Sequence, residues 1–129
     1  MKKHWVVVAE SSRARILIQE PNRGQLTEQQ DLVHPDNNPH DHDRQTLEPV
    51  TMPKEVETDS FARQIAAMLE HARKQNEIGD IVLVAPPQFL GLLTEHLGAE
   101  LQKLVGRRIH KNLVRHSLAD IAAHLAVPV

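Results

Sequence analysis

The side chains best equipped for chemistry in this chain are a set of cations, a run of histidines and one carboxylate at the end of an apolar stretch. Arg107, Arg108, Lys111 and Arg115 crowd one short segment together with His110 and His116, and Arg13 and Arg15 stand near the N-terminus. Cations gathered on one side of a fold can hold RNA phosphates. Along a strand, alternation sends Arg107, Ile109 and Lys111 to one face and Arg108, His110 and Asn112 to the other. A solvated edge strand, blunted by charge, explains the same residues, so both readings stand. Glu10 follows Trp5-Val6-Val7-Val8-Ala9, where a two-metal nuclease would keep one ligand. The second such run ends in Ala85-Pro86-Pro87 without an acid. Asp80 lies at its far end, roughly 15–17 Å off by strand rise, so convergent carboxylates are not expected. His34, His40 and His42 are interleaved with Asp36, Asp41 and Asp43. Imidazole and carboxylate suit zinc or nickel, but neighbouring loop positions do not fix a tetrahedron. A solvated loop is expected there, with no resident metal and no cofactor. Ser11 and Ser12 lack the Gly-x-Ser-x-Gly elbow of a nucleophile. The 5 glycines are isolated, so no phosphate-cradling loop is present. These residues suggest binding rather than catalysis.

Composition narrows the classes further. With 129 residues the chain is long enough for one domain with a real core, and we expect a single domain over 1–129. Against 15 Lys and Arg stand 17 Asp and Glu, a net charge of -2, which argues against a general nucleic-acid coat. Cysteine is absent, which excludes disulfides and thiolate chemistry. One Trp and 2 Phe leave too few rings for a base-stacking platform. The N-terminal apolar run is shorter than the roughly 7–15 residues of a secretory signal. No stretch approaches the roughly 20 apolar residues of a membrane span. A cytoplasmic protein with no membrane partner is expected.

The elements that would position these groups follow from periodicity. Trp5–Ala9 and Ile81–Ala85 are continuous apolar runs, the pattern of strands buried on both faces. Strands from about Ala14 to Gln19 and Gln25 to Val33 follow the first run through short connections, giving an antiparallel meander. From His34 to about Lys54 the pattern stops, with prolines at 35, 39, 49 and 53. A patternless stretch of that length inside a compact domain is usually functional or disordered. Phe61, Ile65, Met68, Leu69 and Ala72 then mark the apolar face of a helix from about Val56 to Gln75. Pro86-Pro87 opens a second helix, with Phe89, Leu90, Leu93 and Leu97 as its apolar face. Leu90, Leu93 and their neighbours are leucine-dense enough for either core packing or a homodimer patch. A short helix over 99–104 and a last strand over 107–114 come next. Ser117 and Asp120 then cap a final helix. A helix between two valine-rich strands implies a parallel pair with a right-handed crossover. The expected fold is α/β: a ribonuclease H-like three-layer arrangement with a five-stranded mixed sheet. Its order is 3-2-1-4-5, strand 2 is antiparallel, and helices lie on both faces.

Three ordered motifs carry a family resemblance. They are Trp5-Val6-Val7-Val8-Ala9-Glu10-Ser11-Ser12-Arg13-Ala14-Arg15, Asp31-Leu32-Val33-His34-Pro35 and Leu83-Val84-Ala85-Pro86-Pro87-Gln88-Phe89-Leu90-Gly91. With Phe61-Ala62 and Lys111-Asn112-Leu113 they resemble the bacterial host-attachment protein family nearly end to end. This chain departs from that pattern at Asn112, where the family usually has aspartate, and over 36–52, where it has a glycine-containing loop. The family is distantly similar to the middle domain of archaeal and eukaryotic class-one peptide release factors. In that domain a Gly-Gly-Gln loop lies between the third strand and the first long helix. The equivalent here, His34 to Lys54, contains no glycine, and Gly24-Gln25 sits in a different turn. The resemblance therefore implies a scaffold that contacts ribosome or tRNA without releasing peptide, as a rescue or hibernation factor would. The cations Arg13, Arg15, Arg107, Arg108 and Lys111 are the expected contacts. A protein-interaction adaptor, or a metal-dependent hydrolase using Glu10 or the loop histidines, are the alternatives.

Overall fold

The computed structural model describes residues 2–19, 26–33 and 54–126. Three strands open the chain: β1 (Lys3–Ala9), β2 (Arg13–Gln19) and β3 (Leu26–Val33). They are followed by α1 (Lys54–Lys74), β4 (Ile78–Val84), α2 (Pro87–His96), α3 (Ala99–Leu104), β5 (Val105–Ile109) and α4 (Leu118–Ala126). The sheet runs β3-β2-β1-β4-β5. β2 is antiparallel to both of its neighbours, whereas β1–β4 and β4–β5 are parallel pairs. The order expected from the valine runs is the one observed.

Central β1 shows why its sequence is apolar throughout. Trp5, Val7 and Ala9 face a core shared with Phe61, Ile65 and Leu69 of α1 and Phe89, Leu90 and Leu93 of α2. Val6 and Val8 face a second core with Ile109, Leu113, Val114 and Ile121 of α4. Helices thus cover both faces, and a strand in the middle layer has no solvated side on which to place polar residues. The two phenylalanines meet between α1 and α2, with ring centroids 6.2 Å apart. Burying each such side chain contributes about 1.5–3 kcal/mol. The indole N–H of Trp5 donates to the carbonyl of Glu77 at 3.2 Å, so its polar atom is not stranded.

Leu90 and Leu93 are 2% and 1% exposed and belong to the core under α1. Of the two readings given for Leu90 and Leu93, core packing is the one observed: these side chains are covered within one chain.

The last strand differs from expectation. It spans Val105–Ile109 instead of 107–114. The backbone N–H of Ala85 donates to the carbonyl of Ile109 at 3.0 Å, and β4 then runs into Pro86-Pro87. Beyond that bond β5 has no ladder neighbour, so Lys111 and Asn112 lie past the strand while Leu113 and Val114 still bury their side chains. β5 also carries an irregularity. Ile81 pairs with Val105 but Val82 pairs with Arg107, leaving Gly106 as the extra residue of a bulge. The bulge sets which face each following side chain takes. Arg107 shares its face with Val82 and Arg108 shares its face with Leu83.

Candidate functional site

Parallel strands β1, β4 and β5 end at one edge of the sheet, and β2 begins there. The turn after β1 is closed by the Glu10 N–H donating to the Arg13 carbonyl at 2.8 Å. Its side chains converge on the Glu10 carboxylate. Ser12 Oγ donates to Oε1 at 2.7 Å, and Asn112 Nδ2, arriving from beyond β5, donates to Oε2 at 2.9 Å. Asn112 Oδ1 also accepts the Val114 N–H at 3.4 Å. Glu10 therefore ties the β1–β2 turn to the segment leading into α4.

The charge on Glu10 is stabilised on balance. Burial is the largest influence and pushes its pKa up. The hydrogen bonds from Ser12 and Asn112, with the nearby Arg115 and Arg13 guanidinium groups, outweigh it and hold the carboxyl below its ordinary range. A carboxylate so stabilised is a poor proton acceptor at neutral pH and a good hydrogen-bond acceptor.

Beside it opens a cleft of about 730 Å³. Its lining includes Glu10 and Asn112, Thr58 and Asp59 of α1, and the apolar Phe89 and Leu92 of α2. Asp59 accepts from His96 Nε2 at 2.7 Å and pairs with Arg63 at 3.0 Å, joining the first turns of α1 to the end of α2. The hydrogen bond from His96, more than the opposing burial, keeps the Asp59 carboxyl below the usual range.

The cations expected to act together separate in the structure. Arg15 is 7% exposed and fully engaged inside the fold. Its Nε and Nη2 donate to Glu28 Oε1 at 3.2 and 2.6 Å, and its Nη1 donates to the carbonyls of Val114 at 3.0 Å and His116 at 2.6 Å. It braces β3 and the post-β5 segment and has no face to offer a phosphate, which corrects its place among the RNA contacts. Arg107 turns toward α4, where Nη1 donates to the Leu125 carbonyl at 2.8 Å. Arg13 makes a two-pronged pair with Asp31 at 2.9 and 2.6 Å and stays partly exposed. Arg108, Lys111 and Arg115 are exposed. Arg13, Lys111 and Arg115 stand around the carboxyl edge, with Arg108 next to the last residue of β5.

Asp80 is at the opposite end of β4, where it pairs with His4 across β1. Among the described residues no three His, Asp or Glu side chains are grouped so that they could hold a metal ion. His34, His40 and His42 lie outside the described residues. No described helix is long and apolar enough to cross a membrane.

Sequence reasoning placed Glu10 at a strand end but missed its partners. Asn112 is 102 positions away and Asp59 sits in an amphipathic helix, so no spacing links them. The one available signal was that two parallel strands must end side by side, bringing Glu10 and Pro86 to one crevice.

The family described as "Protein required for attachment to host cells" matches residues 5–125. This chain belongs to that family. The "Uncharacterized protein RP470" of Rickettsia prowazekii (strain Madrid E) is similar to this chain, with 32% identity over 74 residues. The match takes in 56% of this chain and 49% of the other, so the chain spans about half the length of that relative. The host-attachment fold is also similar to solved structures. The crystal structure of the archaeal translation termination factor aRF1 superposes over 82% of this chain and 29% of that one. The TM-score is 0.56 at 13% identity. An archaeal protein superposes over 95% of this chain and 35% of its own, with a TM-score of 0.56 and 12% identity. At these identities the likeness is one of fold.

Proposed function

We propose that this host-attachment family member is a translation-associated binding protein. It contacts ribosomal RNA or tRNA through the carboxyl edge of a ribonuclease H-like sheet and does not release peptide. The observation that carries the reading is the set of cations at that edge, with Arg108, Lys111 and Arg115 exposed and Arg13 partly exposed beside its pair with Asp31. Lys111 and Arg115 lie with Asn112 on the segment after β5, Arg108 near the end of β5 and Arg13 at the start of β2, outside a cleft whose own carboxylate is ionised. Phosphate contact needs such groups on one side of a fold, and they persist here although the whole chain is slightly acidic. The likeness of fold to an archaeal termination factor supports translation as the setting. A stabilised, hydrogen-bonded Glu10 supports binding over catalysis, because a general base works best with a pKa near the working pH. The cytoplasm is the compartment this reading requires.

Co-sedimentation with ribosomes at low and moderate salt tests it. Association that weakens with salt is expected. It should be lost when Arg108→Glu, Lys111→Glu and Arg115→Gln are combined with the urea midpoint unchanged. Glutamine is chosen at 115 because a glutamate there would repel Glu10. Absence from every ribosomal fraction at both salt concentrations overturns the proposal.

A further inference from the structure

The cleft beside Glu10 is polarised in a way that phosphate binding alone does not use. Its described lining includes the carboxylates of Glu10 and Asp59, the apolar Phe89 and Leu92, and no lysine or arginine. The cations stand outside, with Arg13 and Arg115 near enough to stabilise the Glu10 charge. A ligand matched to both parts is anionic at one end and rich in hydrogen-bond donors at the other. A nucleotide has that form, and a cleft of about 730 Å³ is large enough to take one.

The donor end can be specified further. Each Glu10 oxygen already accepts one hydrogen bond, from Ser12 or from Asn112. A carboxylate oxygen has two lone pairs, so both oxygens keep an acceptor position. Those bonds also fix the carboxylate in place, so little freedom is lost when a ligand arrives. One free acceptor position on each oxygen of a carboxylate matches two adjacent N–H donors. Among the common bases only guanine presents them side by side, at N1–H and the exocyclic N2 amino group. Adenine, cytosine and uracil each set a donor beside an acceptor on that edge, and the acceptor would face a carboxylate oxygen. Proteins that read single-stranded RNA bind such splayed-out bases on their Watson–Crick edges.

We propose that the cleft binds an unpaired guanine, which donates N1–H and N2–H to the Glu10 carboxylate while its phosphate lies toward Arg115 and Lys111. The inference rests on the RNA-contact reading above and adds base selectivity to it. The low pKa of Glu10 is consistent, since a protonated acid would lose one of the two acceptors.

Calorimetric titration of the full chain with GMP, AMP and inorganic phosphate tests the site. GMP is expected to bind at least about fivefold tighter than AMP, the lower end of what a two-bond base contact discriminates. Glu10→Gln keeps an acceptor for Asn112 and should erase the GMP-to-AMP ratio while the chain stays cooperatively folded, its urea midpoint lower only by the contribution of the Glu10 charge. Leu92→Trp, which fills the cleft from a half-buried position, should abolish the GMP advantage while leaving phosphate binding. Equal affinity for GMP and AMP overturns the proposal, as does GMP binding no tighter than phosphate or a ratio that survives Glu10→Gln. Oligoadenylate with and without one internal guanosine separates the sources. A preference in the oligonucleotide assigns the base to RNA, and a preference for GMP alone assigns it to free nucleotide; either supports the guanine site. Guanine preference without ribosome association overturns the translation reading and leaves this site standing. Ribosome association without guanine preference overturns this site alone.

Discussion

At the residue scale, two side chains hold the carboxyl edge in shape, and each predicts a different response. Arg15 spends its guanidinium on Glu28 and on the carbonyls of Val114 and His116, so one buried cation links β2, β3 and the segment entering α4. Arg15→Met keeps the apolar stem but leaves two carbonyls and a carboxylate short of a donor. It should cost about 2–3 kcal/mol in urea unfolding. Arg15→Lys should rescue little, because an ammonium cannot reproduce the planar fork. Glu10 gives a pH signature. Its folded pKa lies below the ordinary 4.5, so the unfolded chain binds more protons in that window. Its stabilising contribution is therefore complete above about pH 4.5 and is lost as pH falls through the depressed value. Asn112→Asp reverses the sign. A second carboxylate would then stand where an amide donates at 2.9 Å, and two such neighbours cannot both ionise without cost, so one pKa rises. The penalty is absent in acid and builds as pH rises from about 4 to 7. Urea midpoints across pH 3 to 7 should rise less steeply with pH in this variant than in the native protein. Parallel curves would show that Glu10 and Asn112 do not interact in solution.

At the scale of elements, the strands were legible because their burial is two-sided. Val6, Val7 and Val8 are apolar in succession since each faces a helix-covered side, and no other arrangement of so short a run needs that. The end of α1 was legible too. Asn76 adopts φ 60, and its N–H and that of Glu77 return to the carbonyls of Arg73 and Ala72 at 3.0 and 3.2 Å. This left-handed cap is a position for asparagine or glycine. Asn76→Ala should therefore cost about 1 kcal/mol, and Asn76→Gly should not. Equal thermal midpoints for the two variants would count against the cap. The end of β5 was not legible, because Leu113 and Val114 bury their side chains without a ladder, and side-chain pattern alone cannot distinguish a strand from an irregular segment on a core. Nor was the bulge at Gly106, although it decides which of the two faces Arg107 takes and which Arg108 takes. Cation types and spacing were plain in the sequence. Which of them were already engaged by Glu28, Asp31 and α4 depended on contacts across strands.

At the scale of the whole molecule, net charge misleads about binding, and salt dependence is the quantity that corrects it. The chain carries -2 overall, so a uniform distribution of charge would repel RNA weakly. The exposed cations are instead placed at different ends of the sheet. Arg108, Lys111 and Arg115 lie at or just past the end of β5, whereas Lys74 and Lys103 lie at the opposite edge, where α1 and α3 lead into β4 and β5. Each phosphate neutralised releases counterions, and the slope of log affinity against log salt counts those contacts at roughly 0.7–0.9 per phosphate. For ribosome or tRNA binding, combining Arg108→Glu, Lys111→Glu and Arg115→Gln should flatten that slope by roughly 2. The pair Lys74→Gln and Lys103→Gln should leave it unchanged, although it removes exposed cations from the same molecule. Equal flattening by both sets would mean that the protein responds to total charge and not to an edge. The carboxyl edge would then be a structural junction, and the partner would have to be sought on another face.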